Sequence, residues 1–334
     1  MLGCLAALGG ALALDIVAGS LLDRFRPLPR DTRGGIPSGH YHHDLAPLRS
    51  VTAVWGSRQY AHVTNSLGFR DHMPREVALD SKRYRVVFLG DSFTEGLGCD
   101  QADTFPGRIE RALGPDEIEV LNAGVMSYSP KLYLLKAKHL LSAGLRIDAL
   151  HVLVDVSDVP DEIAYQTWNP GTVEEPGLIS TRTLRRLSRW SLGCRFLVRR
   201  FRSAELPPDR LHWPYDDHAF ATWRGGLELA QEHMRALAQE CRRRGVAMAV
   251  VVYPYPEQLR RGSGGDRHFE AWSRFCAQED IPLLDVFQAF AAERPWEECF
   301  IPGDAHWTPH GHEVVARAWL KRFAEPVRRA AEGR

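Results

Sequence analysis

At 334 residues the chain is long enough for one large domain or two ordinary ones, and either can bury a substantial core. Its 44% hydrophobic and 25% charged residues are those of a folded protein and exclude a disordered or collagen-like chain. Lys and Arg total 42, as do Asp and Glu, so no net positive charge supports a general nucleic-acid partner. The six cysteines, Cys4, Cys99, Cys194, Cys241, Cys276 and Cys299, form no CxxC pair and no close Cys/His spacing, so no zinc site is predicted.

Residues 1–22 are apolar apart from Asp15 and Ser20. As a helix they would span about 33 Å, enough for a hydrocarbon core of about 30 Å, which predicts a membrane anchor. A buried amino-terminal helix is the competing reading. No Lys or Arg precedes the run, and Arg24, Arg26, Arg30 and Arg33 follow it, a bias that favours a cytoplasmic position for what comes next. Residues 23–83, rich in Pro, Gly, His and Arg, read as an irregular or short-stranded lead-in.

The regular pattern begins after that. Short apolar runs at 85–89, 117–122, 149–155, 246–254 and 282–287 read as five buried parallel strands. Helical patterns at 104–113, 130–143, 222–243, 266–279 and 309–322 alternate with them, which predicts an α/β fold with a parallel sheet covered on both faces. About 90 residues separate the third and fourth strands, so an insertion is expected over 160–221. Within it, the stretch holding Arg182, Arg185, Arg186, Arg189, Arg195, Arg199 and Arg200 has an apolar stripe and reads as a basic amphipathic helix. Such a helix either packs on the core or faces a membrane surface or an anionic polymer.

The segment YRVVFLGDSFTEGLG places Ser92 directly after a strand, where open α/β sheets bind their ligands. Gly90 permits a sharp turn there, and backbone N–H groups at such a turn suit an oxyanion. A serine N-cap explains GDS alone equally well. A base is supplied near the other end, in GDAHWTPHGH, where Thr308 and Pro309 start the last helix and Asp304 and His306 lie on the loop entering it. From that loop an imidazole can reach back to Ser92 while Asp304 fixes its tautomer.

GDSFTEG after the first core strand, D-x-H near the carboxyl end and the β/α units between them resemble the SGNH or GDSL-type serine hydrolases over about residues 84–325. The resemblance implies a flavodoxin-like three-layer α/β/α fold with a five-stranded parallel sheet and a two-step acyl transfer without a cofactor or metal. It implies Ser92 as nucleophile, His306 as base and then acid, and Asp304 as the orienting carboxylate. The oxyanion donors would be the Ser92 N–H, a loop N–H at Gly124 or Ser127, and Ser157 in the place of the family's asparagine. Asp91, Asn122 and Asp158 are further candidates for touching substrate; Asn65 either braces the first strand, the favoured reading, or lines the acceptor cleft; and His42 and His43 border the cleft, bind a metal or, as favoured, lie on a solvated loop.

The two-residue Asp–His spacing and the lead-in are similar to SGNH-like proteins that acetylate bacterial polysaccharides. The resemblance therefore implies a carbohydrate carrying or accepting a short acyl group, most simply acetyl. It also implies a membrane-associated protein of the cell envelope, against the arginine bias after residue 22. Hydrolase, transferase and non-catalytic carbohydrate binder all stay open at this point, as does the oligomeric state.

Overall fold

The computed structural model describes residues 10, 13–21, 33–172, 187, 190–194, 196, 209–262 and 266–333. Residues 31–172 and 211–334 form one compact unit, and residues 1–30 with 173–210 form another. In the smaller unit residues 13–21 are helical, and the Gly193 N–H donates to Asp15 Oδ1 at 2.9 Å. Among the described residues, no helix is long and apolar enough to cross a membrane. Most of the 1–22 run and most of the arginine-rich stretch of the insertion lie outside the described residues.

The larger unit opens with two antiparallel hairpins, β1 (Gly35–Ser38) with β2 (His42–Leu45), and β3 (Ser50–Trp55) with β4 (Arg58–Val63). The core sheet follows: β5 (Tyr84–Leu89), β6 (Ile118–Asn122), β7 (Ala149–Val154), β8 (Ala247–Val252) and β9 (Leu283–Asp285). All neighbours are parallel, in the order β6-β5-β7-β8-β9. All five strands expected from the apolar runs are present. The runs were continuous rather than alternating because β5, β6 and β7 are buried along their whole length.

Helices cover both faces. Val87, Leu89, Val152 and Val154 face Leu132, Tyr133, Met234 and Trp272, whereas Val86, Phe88, Leu153 and Val251 face Phe105, Ile109, Val315 and Trp319. The α-helices described in the larger unit, in chain order, are α1 (Ser92–Glu95), α2 (Phe105–Leu113), α3 (Pro130–Ser142), α4 (Asp158–Ala164), α5 (Asp217–Arg244), α6 (Pro256–Arg261), α7 (Arg267–Gln278), α8 (Phe287–Ala292) and α9 (Pro309–Glu332). Helix α5 starts earlier than the periodicity predicts because Asp216 caps it, accepting the Ala219 N–H. Helix α9 runs ten residues past its expected end, through Pro326, because Phe323 and Val327 prolong the buried stripe. Four short helices, α1, α4, α6 and α8, fall below the length at which periodicity is readable.

The lead-in is fastened to the core. Lys136 of α3 is fully buried, pairs with Asp44 of β2 at 2.9 Å, and lies 5.0–5.6 Å from the ring centres of Phe69, Tyr128 and Tyr41. Arg70, also buried, donates to the carbonyls of Ala61, Glu95 and Cys99, and its N–H meets the carbonyl of Asn122 at the end of β6. Asn65 is buried as well: its side chain accepts the N–H groups of Leu67 and Phe69 and donates to Asp71, closing a turn. These contacts tie β4 and the following turn to the carboxyl ends of the sheet.

Candidate active site

The chain crosses from β6 on one side of β5 to β7 on the other, so the carboxyl ends of β5 and β7 frame the crevice where doubly wound sheets bind their ligands. Ser92 begins α1 there. Asp91 caps that helix by accepting the Phe93 N–H at 3.0 Å. Gly90 is required for space rather than for a left-handed turn: a Cβ on it would lie 2.1 Å from Thr94 Oγ1.

His306 Nε2 lies 2.8 Å from Ser92 Oγ, and His306 Nδ1 lies 2.5 Å from Asp304 Oδ1. Asp304 Oδ1 also accepts the His306 backbone N–H at 2.9 Å. The structure thus brings together three side chains from opposite ends of the sequence, in the order a serine nucleophile, base and orienting acid require. Phe93 stacks on the imidazole with ring centres 4.7 Å apart, and Trp55 meets it edge-on at 5.0 Å. Trp55 Nε1 donates to Asp304 Oδ2 at 3.0 Å, so both oxygens of the acid are held. Burial pushes Asp304 up, but the bonds from His306 and Trp55 outweigh it and hold the carboxyl below its ordinary value.

The loop after β6 lies against α1. Its N–H groups are taken in turn: Ala123 by the Phe88 carbonyl, Gly124 by Asn122 Oδ1, Val125 by the Gly90 carbonyl, Met126 by Glu95 Oε2 and Tyr128 by the Val125 carbonyl. Among the described hydrogen bonds, the Ser127 N–H has no acceptor, nor does the Ser92 N–H. Ser127 sits at φ +62°, the left-handed conformation that favours glycine. Glu95 fixes this loop from below. It is fully buried, with Oε1 on Arg33 at 2.6 Å and His62 at 3.2 Å, and Oε2 on the Met126 N–H at 2.8 Å. Burial raises its pKa, but Arg33, His62 and the Met126 N–H more than reverse that. His43 supports the loop's other side through its Nε2 and the Met126 carbonyl, 2.8 Å apart, and His42 packs on Tyr165 and Trp168 with its Nδ1 2.8 Å from His43 Nδ1, so both are part of the scaffold rather than a solvated loop.

Several expected contacts are corrected by this geometry. The Gly124 N–H is already bonded to Asn122, and a Cβ there would lie 2.5 Å from the Glu95 nitrogen, so this glycine permits close packing and offers no donor. Ser157 gives both its N–H and its hydroxyl to Asp155 Oδ1, at 2.6 and 2.8 Å, so it is not a free oxyanion donor. Asp91, Asn122, Asp158 and Asn65 are each 2% exposed or less and cannot reach substrate. Asn122 orders the loop through Gly124, and Asp158 accepts the Tyr133 hydroxyl and the Asp155 N–H.

A cleft of about 970 Å³ begins beside Asp304 and Ala305. Tyr215, Tyr255 and Trp296 line it together with Val156, Phe300, Ile301, His212 and the acids Glu257, Glu297 and Glu298. Ser92 is not part of its lining. Tyr255 joins the two sites, its ring centre 5.3 Å from Phe93.

The chain is similar to several known proteins. The model of the GDSL-like lipase/acylhydrolase family matches residues 88–314. The protein named "Probable alginate O-acetylase AlgJ" of Pseudomonas putida is 26% identical over 131 residues, which cover 36% of this chain. The match spans only 33% of that relative's own length. Similar solved structures include a lipase/acylhydrolase from Enterococcus faecalis, with 11% identity, 73% of this chain and 96% of the other covered, and a TM-score of 0.44. A variant of Axe2, an acetyl xylan esterase from Geobacillus stearothermophilus, gives 13%, 72%, 96% and 0.43. The family match extends over most of the core sheet and both ends of the Ser92–His306 pair, and on it the chain belongs to the GDSL-like lipase/acylhydrolase family.

Proposed function

We propose that the protein is a serine-dependent esterase acting on short acyl esters of carbohydrate, most simply O-acetyl. The observation that carries this reading is the unbroken chain from Asp304 through His306 to Ser92 Oγ. His306 takes the Ser92 proton as the hydroxyl attacks the ester carbonyl, and Asp304 stabilises the imidazolium that results. The N–H groups of Ser92 and Ser127 are the donors left open for the tetrahedral oxyanion. His306 then protonates the departing sugar oxygen, leaving an acyl-enzyme that water cleaves. The aromatic cleft next to Asp304 supports a sugar substrate, since ring faces pack against the apolar faces of pyranoses while the acids at its mouth accept hydroxyl hydrogen bonds.

A second reading is favoured by the match to AlgJ: the acyl group passes to a sugar hydroxyl instead of water. Incubation with an acetyl donor, with and without oligosaccharide, separates the two. Free acetate alone in both samples supports hydrolysis, and acetylated sugar supports transfer. Beneath both lies one test of Ser92. A fluorophosphonate probe should add once to the wild type and not to Ser92→Ala, as read by intact mass; an unlabelled, well-folded wild type overturns the serine mechanism. Residues 1–22 support attachment to a membrane, with the catalytic unit outside the cytoplasm in reach of envelope polysaccharide. A reporter fused after residue 83 that is active only in the cytoplasm overturns that placement.

A further inference from the structure

Behind the nucleophile, the ends of three adjacent strands meet in a buried acidic cluster: Asp91 after β5, Asp155 after β7 and Tyr253 after β8, with Asp158 and Tyr133 beside them. The Tyr253 hydroxyl lies 3.0 Å from Asp91 Oδ1 and 3.0 Å from Asp155 Oδ2, bridging the two carboxyl groups. A tyrosine hydroxyl has one hydrogen to give, and an ionised carboxylate has none. The two contacts of this one hydroxyl therefore cannot both be hydrogen bonds if both acids are ionised, and nothing in the described ion pairs brings a Lys or Arg to them.

From this geometry we infer that Asp91 and Asp155 share one proton at neutral pH, and that this proton directs the Ser92 hydroxyl to His306. Asp155 is the more heavily hydrogen-bonded of the two. Its Oδ1 accepts three hydrogen bonds, from the N–H and hydroxyl of Ser157 and the N–H of Asp158. Asp91 holds the proton, and burial, then the Asp155 charge, push it well above the usual carboxylate range. Ser92 Oγ has two acceptors in reach, His306 Nε2 at 2.8 Å and Asp91 Oδ2 at 3.4 Å. A neutral Asp91 leaves the imidazole as the stronger acceptor. An ionised Asp91 competes for the same hydrogen and places a second negative charge beneath the oxygen that must itself become negative.

The other titratable groups facing the pair do not supply this behaviour. Tyr133, Tyr253 and Tyr255 are held neutral by burial, as is His268 of α7, pushed down to about 4. Asp158, likewise buried, is raised in the same direction as Asp91. Glu95 is turned away onto Arg33 and His62. His306 lies on the far side of Ser92 from the pair. Asp91 is thus a positioning residue, acting through Ser92, and its effect on rate rests on the serine mechanism proposed above, although the shared proton does not.

Infrared difference spectra of wild type against Asp91→Asn test both parts. Asn caps α1 as Asp does and mimics the neutral acid. The expected result is a protonated-carboxyl band in the wild type at neutral pH that the variant lacks. That band should vanish as pH rises, together with a fall in kcat/KM of about tenfold or more, the usual effect of a unit charge a few ångströms away. The variant should show no such alkaline fall. Absence of the band overturns the shared proton, and an identical alkaline fall in the variant overturns the link to Ser92. If the variant does not fold, carbon-13 NMR of wild type labelled at aspartate carboxyls decides: every carboxyl ionised at neutral pH refutes the inference. An inert Ser92 removes the kinetic arm and leaves both spectral readouts intact, so failure of the enzyme mechanism and failure of the inference are distinguishable.

Discussion

Trp55→Phe isolates one hydrogen bond of the site. Phenylalanine keeps an aromatic face against His306 and removes only the Nε1–H that holds Asp304 Oδ2 at 3.0 Å. A hydrogen bond to a charged acceptor contributes about 1.5–3 kcal/mol, but the Asp304 side chain is 28% exposed, so water replaces part of the loss. A cost of about 1–2 kcal/mol in the transition state corresponds to a drop in kcat of roughly 5- to 30-fold, with KM little changed. The pH dependence has a definite sign. Asp304 is held below its ordinary value in the folded protein, and loss of a donor lets it rise, so the variant should lose activity at a higher pH on the acid side. Steady-state hydrolysis of p-nitrophenyl acetate across the acid range measures both effects, with Trp55→Ala as the comparison that also removes the ring. A Phe variant within twofold of wild type at every pH, with an unmoved acid limb, refutes the idea that the lead-in tunes the acid.

Glu95→Gln should destabilise the protein by about 3 kcal/mol, because Arg33 and His62 lose a buried carboxylate partner. Since the folded pKa of Glu95 is depressed, its contribution is present above the usual carboxylate range and is lost as pH falls toward the folded value, so the variant's Tm should fall less on acidification. Equal acid sensitivity in calorimetry would count against that. Ser127→Gly relieves a left-handed residue and should stabilise by about 0.5–1 kcal/mol, raising Tm by roughly 1–4 °C; a lower Tm shows that the hydroxyl matters more than the backbone conformation. Lys136→Met strands Asp44 in the interior and should cost about 3–5 kcal/mol in urea unfolding, whereas a cost below about 1 kcal/mol would mean that the lead-in is not anchored by this pair.

Much of this was legible because it depends on short-range pattern. β5, β7 and β8 announce themselves as apolar runs, and GDS and D-x-H lie at strand and helix boundaries that local signals locate. What the sequence conceals is orientation. Spacing identifies the loop after β6 but not which N–H turns outward, and so does not separate Gly124, tied to Asn122, from Ser127. The aspartates of GDS and of the Ser157 loop look like cleft residues because acids are usually exposed, yet tyrosines on neighbouring elements bury them. Trp55 carries no local mark at all: its partner is 249 residues away, and only the folded chain brings them together.

That tryptophan changes what counts as the catalytic unit. It lies outside the span matched by the family model, yet it grips the acid of the Ser–His–Asp chain. The hairpin before the core sheet and the loop before the last helix must therefore both be docked before the nucleophile is armed. Turnover then reports on both margins of the larger unit: fraying at either would slow the serine well before the central sheet unravels. A half-folded chain, with its β/α core already formed, would be harmless to esters it meets.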